Sequence, residues 1–461
     1  MLPQEWEKKL VDMNITSLTD EDIKWADYVF ISAMSVQTES TKRTIQRCRQ
    51  LDAKIVAGGP LFTMEPEEFA EIDHLVLNEA EVTLPLFLED LKNGCAKRIY
   101  TSSEWPDINT TPIPMWDLID MRKYASMSIQ YSRGCPFDCE FCDIVVLNGH
   151  TPRTKDKVNV LRELDALYNH GWRSSVLVVD DNFIGNKRKL KTETLPAIIE
   201  WMKERKHPFS LDTEASINLA DDEELMQLMV KAGFKTVFIG IETPNKDSLV
   251  ECGKSQNKNR DMVAAVKKLQ NFGLQVHGGF IVGFDNDPLS IFENQINFIQ
   301  KSGIVTAMVG LLNAPHGTKL YQRLKKENRL TKNFTGNNTD CSMNFTPKMH
   351  YETLINGYKN ILNTIYSPNK YYERAINFLS DYKPIASKAF KLRLEHISAF
   401  IKAMWILGIR EKGRRYYWRL LIWTLRKQPR SFAISITLSI FGFHFRKIVE
   451  RYAKLPSRSN A

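Results

Sequence analysis

The chain has no disulfide framework, no apolar leader, no internal repeat and no low-complexity segment. Each absence narrows what the protein can be. Its seven cysteines are an odd number, three of them close together at 135, 139 and 142 and four scattered singly as Cys48, Cys95, Cys252 and Cys341. Such usage points to a reducing compartment, and the opening Met-Leu-Pro-Gln-Glu-Trp-Glu lacks the apolar core of an export signal. A cytoplasmic protein is expected. The apolar run 431–445 is interrupted by His444 and falls short of the roughly 20 residues that span a bilayer. Nucleic-acid-binding motifs are also missing. At 461 residues, the chain is long enough for two or three domains with a sizeable core.

The formal net charge of +9 is unevenly placed. Residues 386–461 hold 17 Lys and Arg against three Glu and no Asp, a balance of +14 that leaves −5 for residues 1–385. Basic clusters alternate with aromatic and aliphatic ones, as in Arg414-Arg415-Tyr416-Tyr417-Trp418-Arg419-Leu420-Leu421-Ile422-Trp423. A basic amphipathic stretch with Trp and Tyr suits the interface of an anionic membrane, lying on it at the inner face and not crossing it. Two other readings stand beside this one: a helical tail packed on its own domain, and phosphate contacts to nucleic acid. With no motif to accompany the charge, no nucleic-acid partner is expected.

Pattern divides the rest of the chain. Short apolar runs at 28–32, 54–57 and 75–77 alternate with helical stretches near 41–51 and 84–93, which predicts a parallel, doubly wound α/β sheet over residues 1–105. A linker with Pro106, Pro112 and Pro114 follows over 106–125. Six strand-like runs then recur at 126–132, 175–180, 210–216, 236–242, 276–283 and 306–313, each followed by a helical pattern. They predict a partial (β/α)6 barrel over 126–330, with its chemistry at the C-terminal strand ends. A helical region, 331–385, and the basic amphipathic tail, 386–461, complete an α/β fold class.

Tyr-Ser-Arg-Gly-Cys-Pro-Phe-Asp-Cys-Glu-Phe-Cys-Asp, residues 131–143, sits just past the first barrel strand. A [4Fe-4S] cluster is usually held by four cysteines, so three, Cys135, Cys139 and Cys142, leave one iron open. A structural zinc site would want a fourth ligand, and the nearest candidate, His150, stands eight residues beyond Cys142, a poor fit to zinc spacings. A structural metal knot or three incidental cysteines is the bland alternative.

This run, including Phe141 before the third cysteine, resembles the signature of the radical S-adenosylmethionine (SAM) superfamily, whose open iron binds the amino and carboxylate groups of SAM. The resemblance implies a place for SAM at the other strand ends. Asp180, Asp181 and Asn182 would hold its amino group, with a capped turn as the alternative. Glu214, Ser216 and Glu242 would face the barrel mouth, although each Glu could equally pair with a barrel-lining Arg or Lys. Gly279, Ile281 and Gly283 resemble a Gly-x-Ile-x-Gly-x-x-Glu adenine-contacting motif in which Asn286 replaces the Glu. His277 reads as an ordinary strand histidine, and the turn 313–318 as one that closes over the site.

With the preceding α/β region, the chain is similar to cobalamin-binding-domain radical SAM enzymes, and most to the group containing the hopanoid C-2 methylases. Gly58 and Gly59, and Glu79 and Glu81, look like its corrin-facing loops. The first strand and helix of that domain should precede Glu5. The flavodoxin-like order puts that strand in the sheet interior, so its absence leaves neighbouring ladder groups unpaired. Either Met1 is an internal methionine of a longer frame, or the barrel works without cobalamin. The cobalt-ligating Asp-x-His-x-x-Gly motif is missing, as it is from many members. The resemblance implies reductive cleavage of SAM to a 5′-deoxyadenosyl radical, electrons from a donor such as ferredoxin or flavodoxin, and methyl transfer from methylcobalamin to a lipidic, hopanoid-like substrate. Oxidation or rearrangement without methyl transfer, and a non-enzymatic cluster or corrinoid carrier, are the alternatives.

Overall fold

In the computed structural model, which describes residues 1–331, 336, 341–383 and 394–452, the first three predicted strands form as Tyr28–Ser32 (β1), Lys54–Gly58 (β2) and His74–Val76 (β3). A two-residue β4, Ile99–Tyr100, is too short to announce itself by alternation. The four pair in parallel in chain order. The outer side of β1 has no strand partner among the described residues, while β1 pairs directly with β2, so the gap expected inside the sheet is closed. The helix Thr38–Gln50 buries Thr41, Thr44, Ile45 and Cys48, a one-sided stripe at helical spacing. It closes a core with Ile55, Leu61, Phe62, Phe69 and Leu75.

The chain divides into two units. The first is Met1–Asn186 with Glu200–Phe209 and Asn313–Asn337; the second is Lys187–Ile199 with Ser210–Leu312 and Asn338–Ala461. The first unit continues with Ser126–Ile129 (β5), Ser132–Arg133 (β6), Arg153–Thr154 (β7) and Ser175–Val178 (β8). β5 pairs with β8 in parallel, while β6 and β7 form an antiparallel hairpin. The predicted linker is structured: it holds short 3-10 turns at Ile108–Thr110, Trp116–Leu118 and Met121–Lys123, and Asn109 Oδ1 accepts from the Asp156 N–H at 2.7 Å.

In the second unit Ser210–Glu214 (β9), Phe234–Glu242 (β10), Gln275–Val282 (β11) and Ala307–Leu311 (β12) pair in parallel in chain order. Burial alternates along them, so one face meets the helices and the other stays open. Most of the six barrel strands end earlier than the apolar pattern, because the polar residues behind them turn away into loops. Asp222 caps the helix Glu223–Ala232, which ends on Gly233 in the left-handed region at φ +102°.

The predicted helical region becomes Tyr351–Ile365 and Pro368–Asp381, and the basic tail becomes Leu394–Trp405, which continues through a wider turn Ile406–Arg410, then Arg414–Lys427 and Phe432–Tyr452. Phe432–Tyr452 outruns the expected apolar run because His444 sits exposed on its outer side and interrupts nothing. Residues 429–451 are long and apolar enough to cross a membrane by length and composition, with mean hydropathy 1.4. One face is nevertheless seated on protein: Ser435, Leu438 and Ser439 are buried, and the Tyr371 hydroxyl donates to the Leu438 carbonyl at 2.6 Å. Packing on its own unit thus accounts for part of the tail.

Tyr366 fastens Tyr351–Asp381 to the last strand. Its buried hydroxyl donates to the Ala307 carbonyl at 2.7 Å and accepts from the Ala307 N–H at 3.3 Å. Tyr366→Phe leaves both backbone groups unpaired, and a cost of about 1–3 kcal/mol is expected, read as a lower urea midpoint with unchanged slope.

Candidate functional site

Where β5 and β8 end side by side, the chain turns into the cysteine loop, and two carboxylates hold that turn. Asp180, 1% exposed, accepts from the Tyr131 N–H at 2.8 Å and the Ser132 hydroxyl at 2.6 Å. Burial pushes its carboxyl up to about 7, against the opposing pull of the Ser132 and Tyr131 hydrogen bonds. Asp181 accepts from the Gly134 N–H at 2.8 Å and the Asn148 amide at 3.0 Å. Both were expected beside a SAM amino group; in this structure their oxygens hold the start of the loop and cap no helix. Asn182 is buried beside them, its carbonyl accepting from the Gly185 N–H at 2.9 Å.

Gly134 has φ +93°, and a Cβ there would lie 2.9–3.0 Å from the carbonyl oxygens of Asn148, Gly149 and Thr151. Only glycine passes this crossing without strain. Cys135 follows, its N–H donating to the Gly149 carbonyl at 3.2 Å, and a turn closes where the Cys142 N–H donates to the Cys139 carbonyl at 3.1 Å. Cys139 is buried, Cys135 and Cys142 are half-buried, and none is in a disulfide. Among the described residues no three His, Cys, Asp or Glu side chains converge on a single ion. His150 instead faces Asp138 at 3.9 Å. Farther along the loop, Asp138 pairs with Lys319, and Glu140 accepts from Arg323 at 2.6 and 3.1 Å.

The hairpin flanking the loop sets Arg133 directly opposite Arg153. Like charges so placed repel. Glu79 lies between them, taking Arg133 Nη1 at 2.5 Å and Arg153 Nη2 at 2.5 Å, while Glu81 takes Arg133 Nη2 at 2.8 Å and the Thr111 hydroxyl at 2.7 Å. Burial pushes the Glu81 carboxyl up, but the Arg133 and Thr111 hydrogen bonds outweigh it and bring it down to about 2. Glu79 and Glu81, expected at a corrin-facing loop, are engaged here in clamping the cysteine hairpin. Arg133 and Arg153 were not singled out in the sequence, where 19 intervening residues hide their pairing. Gly58 and Gly59 stand at the C-terminal edge of the first sheet. A Cβ on Gly58 would lie 2.5 Å from the Val76 carbonyl, and one on Gly59, φ +88°, 2.7 Å from Ser32 Oγ. Close strand packing explains both. Exposed Met34 and Val36 lie just past β1 at the same edge.

In the second unit, β9 to β12 present an open face carrying Glu214, Phe238, Gly240, Gly279, Ile281, Met308 and Gly310, related by the strand registers. Glu214 is exposed there. Glu242 is buried, with φ +62°, and its carboxylate pairs with Lys254 at 2.6 Å over Gly240, the structural pairing held open above. Gly240 makes room for it, since a Cβ would lie 2.3 Å from Glu242 Oε1. Ser216 lies beyond the end of β9, and its hydroxyl donates to Asn218 Oδ1 at 2.6 Å. Gly279 faces the Phe238 ring, where a Cβ would meet it at 3.0 Å. Gly283, φ +108°, is held by Asp287, which accepts from the Gly283 and Phe284 N–H groups at 2.9 and 3.1 Å. Burial raises the Asp287 carboxyl to about 6. Asn286, in place of the motif's Glu, offers its N–H to Glu251 at 2.9 Å.

Three cysteines on a loop hung from parallel strand ends define a class: enzymes that carry an iron-sulfur cluster at the mouth of a βα barrel. Residues 129–299 match the radical SAM superfamily, and residues 318–456 match a domain of unknown function, DUF4070. The chain is 42% identical over 459 residues to an uncharacterized methyltransferase of Synechocystis sp., covering 98% of this chain and 85% of that one. It is 31% identical over 471 residues to the hopanoid C-2 methylase of Rhodopseudomonas palustris, covering 100% and 87%. The fold is similar to that of the radical SAM methyltransferase TsrM from Kitasatospora setae solved with cobalamin and a [4Fe-4S] cluster, with TM-score 0.57 and 13% identity over 91% of this chain and 88% of that one. The chain belongs to the cobalamin-binding-domain radical SAM enzymes, in the group that contains hopanoid C-2 methylase. A [4Fe-4S] cluster and SAM are the cofactors that define its superfamily.

Removing one arm of the clamp should be costly. Arg153→Met leaves the buried hairpin with an unbalanced carboxylate, at about 3–5 kcal/mol, and adding Glu79→Gln should return part of that loss in a double-mutant cycle of urea midpoints. Asp180 gives a pH signature. Its folded pKa lies above the unfolded value, so the folded state binds the extra proton between about pH 4 and 7, and stability falls as pH rises through that window. Asp180→Asn keeps an acceptor for Tyr131 without a charge. Its urea midpoint should gain on the wild type between pH 5 and 8, and a constant difference would rule the titration out.

Proposed function

We propose that the enzyme cleaves SAM reductively at a [4Fe-4S] cluster held by Cys135, Cys139 and Cys142, and methylates an unactivated carbon of a lipidic, hopanoid-like substrate by way of cobalamin. The observation that carries this reading is the cysteine loop itself: three thiols outside any disulfide, at a strand-end crossing that only Gly134 accommodates. Each thiolate of such a cluster binds a different iron, and three of them leave the fourth iron open. When bound, the cluster and SAM supply a carbon-centred radical, and cobalamin supplies the methyl group. The protein's part is placement and exclusion of water.

Within that part, Asp180 and Asp181 fix the entry to the loop, and Arg133 and Arg153 fix its flanks. Glu214 and the face around Gly310 offer an acceptor and backbone for a nucleoside, with Ile281 and Phe238 as apolar walls, while the Phe238 ring lies over Gly279 and the Glu242–Lys254 pair over Gly240. Asn182, just past the end of β8, and Ser216 and Gly283, just past the ends of β9 and β11, belong to the same reading as SAM contacts. A corrin would rest on the Gly58–Gly59 edge beside Met34 and Val36. The Glu79 and Glu81 carboxylates do not fit that role, being taken by arginines. The relatives named as methyltransferases support methyl transfer, and the name hopanoid C-2 methylase supports a polycyclic lipid. The reading places the enzyme in the cytoplasm, peripheral at the inner membrane face, and supplied with electrons by a small donor protein such as ferredoxin or flavodoxin.

A second reading, SAM-dependent oxidation or rearrangement without methyl transfer, draws on the open outer edge of β1 and on the clamped carboxylates. Anaerobic reconstitution separates the two. The wild type should show iron-sulfur absorbance, form 5′-deoxyadenosine from SAM and retain methylcobalamin through gel filtration, and a deletion strain should lose one methyl group from a lipid. Cys139→Ala should abolish the absorbance and the SAM cleavage together. Product without retained corrinoid would favour the second reading, and a cluster without SAM cleavage would leave only a carrier.

A further inference from the structure

The C-terminal helices of the second unit bury one side and leave a large apolar area on the other. Along Leu394–Trp405 and the turn after it, Ile397, Ile401, Trp405 and Ile409 recur every fourth residue, and Trp418, Ile422 and Leu425 follow at spacings of four and three on Arg414–Lys427. All seven are between 37% and 60% exposed. These residues are one patch and not two, because the Trp418 indole lies across Gly408 and its Nε1 donates to the Gly408 carbonyl at 2.9 Å. A Cβ on Gly408 would lie 3.0 Å from that ring. Monomeric proteins seldom leave so much large apolar surface contiguous without a partner.

The margin of the patch identifies the partner. Arg410, Lys412, Arg414, Arg415, Arg419 and Arg426 are exposed and form no ion pair with a described residue. Glu411 is the one acid between positions 397 and 449, and Arg446 and Lys447 neutralise it. A second copy of the chain would bring the same positive margin against this one and be repelled. Nucleic acid would use the charge and leave the isoleucines in water. An anionic bilayer takes both, burying the aliphatic and indole groups at the acyl boundary while the guanidinium groups meet lipid phosphates.

We propose that the Ile401, Trp405, Ile409, Trp418, Ile422 and Leu425 face docks flat on an anionic lipid bilayer, with the helix Phe432–Tyr452 seated behind it on protein and not inserted. This deepens the lipid-substrate reading by assigning the surface through which the enzyme would meet a membrane-dissolved substrate. Flotation of the full-length protein with phosphatidylcholine vesicles, with and without phosphatidylglycerol, tests it. Binding should require the anionic lipid and weaken with added salt. Ile401→Ser with Trp405→Ser, and separately Arg415→Glu with Arg419→Glu, should each lower partitioning at least about tenfold.

These side chains are exposed, so thermal midpoints should hold; if a variant does unfold, quenching of wild-type fluorescence by brominated anionic lipid, reduced in Trp405→Phe and more so when Trp418 is also replaced by Phe, decides instead. Equal binding to neutral vesicles, unaltered binding of both variants, or a gel-filtration dimer that Trp405→Ser dissociates would overturn the proposal. SAM cleavage measured without lipid on the same variants should be unchanged, which keeps a failure of docking distinct from a failure of the cluster chemistry.

Discussion

Two arginines face each other across a two-residue hairpin, and the carboxylate of Glu79 between them makes that arrangement tolerable. The rest of the first unit depends on this interaction. The hairpin strands are too short to hold themselves together by ladder hydrogen bonds, and the like charges of Arg133 and Arg153 oppose their pairing. With Glu79 and Glu81 in place the network carries two negative and two positive charges in a nearly dry setting, where removal of any one is far costlier than the pair is worth. Arg153 is further fixed by stacking over the Trp105 ring at 5.0 Å and by donating to the Pro106 and Asn148 carbonyls. The α/β sheet and the linker thereby contribute directly to the shape of the cysteine loop.

The second unit solves a different problem with a buried cation that has no carboxylate. Arg374 is fully buried; Gln300 and the Val305 carbonyl take its hydrogen bonds, and the Tyr371 ring lies 5.3 Å away. Tyr371 in turn reaches the Leu438 carbonyl, and its ring occupies the space that Gly442 leaves. A line of contacts therefore runs from the helix Ile291–Ser302, which carries Gln300, through Pro368–Asp381 to the final helix, which is why one side of that apolar helix behaves as core.

What could be read in the sequence was whatever depended on periodicity or on a short local motif. Short apolar runs located β1, β2, β3 and all six later strands, since the buried positions of each are mostly apolar. The cysteine triplet was visible because its spacing is local. Roles that depend on partners distant in sequence were not. Asp180 and Asp181 have the composition of a ligand-binding turn, yet the nearest donors are backbone N–H groups about 48 residues upstream, and these claim the carboxylates first. Glu79 and Glu81 read as loop acids until the two arginines are placed against them. Glu242 looked available because nothing in a strand sequence reveals that Lys254, after a helix and a turn, folds back onto it. The tail was misjudged in length by one exposed histidine, although its two-faced chemistry was plain.

The clamp also has a consequence for the order in which the molecule is made. Its longest hydrogen bond in sequence joins Glu79 to Arg153, 74 positions apart. At ribosomal speeds of about 5–20 residues per second, roughly 4–15 seconds separate the emergence of the first partner from that of the second. Cys135, Cys139 and Cys142 are synthesised inside that interval, while the hairpin that will enclose them is still open. The thiols thus leave the ribosome before the fold locks their flanks, and the closing of one ion pair ends that open interval.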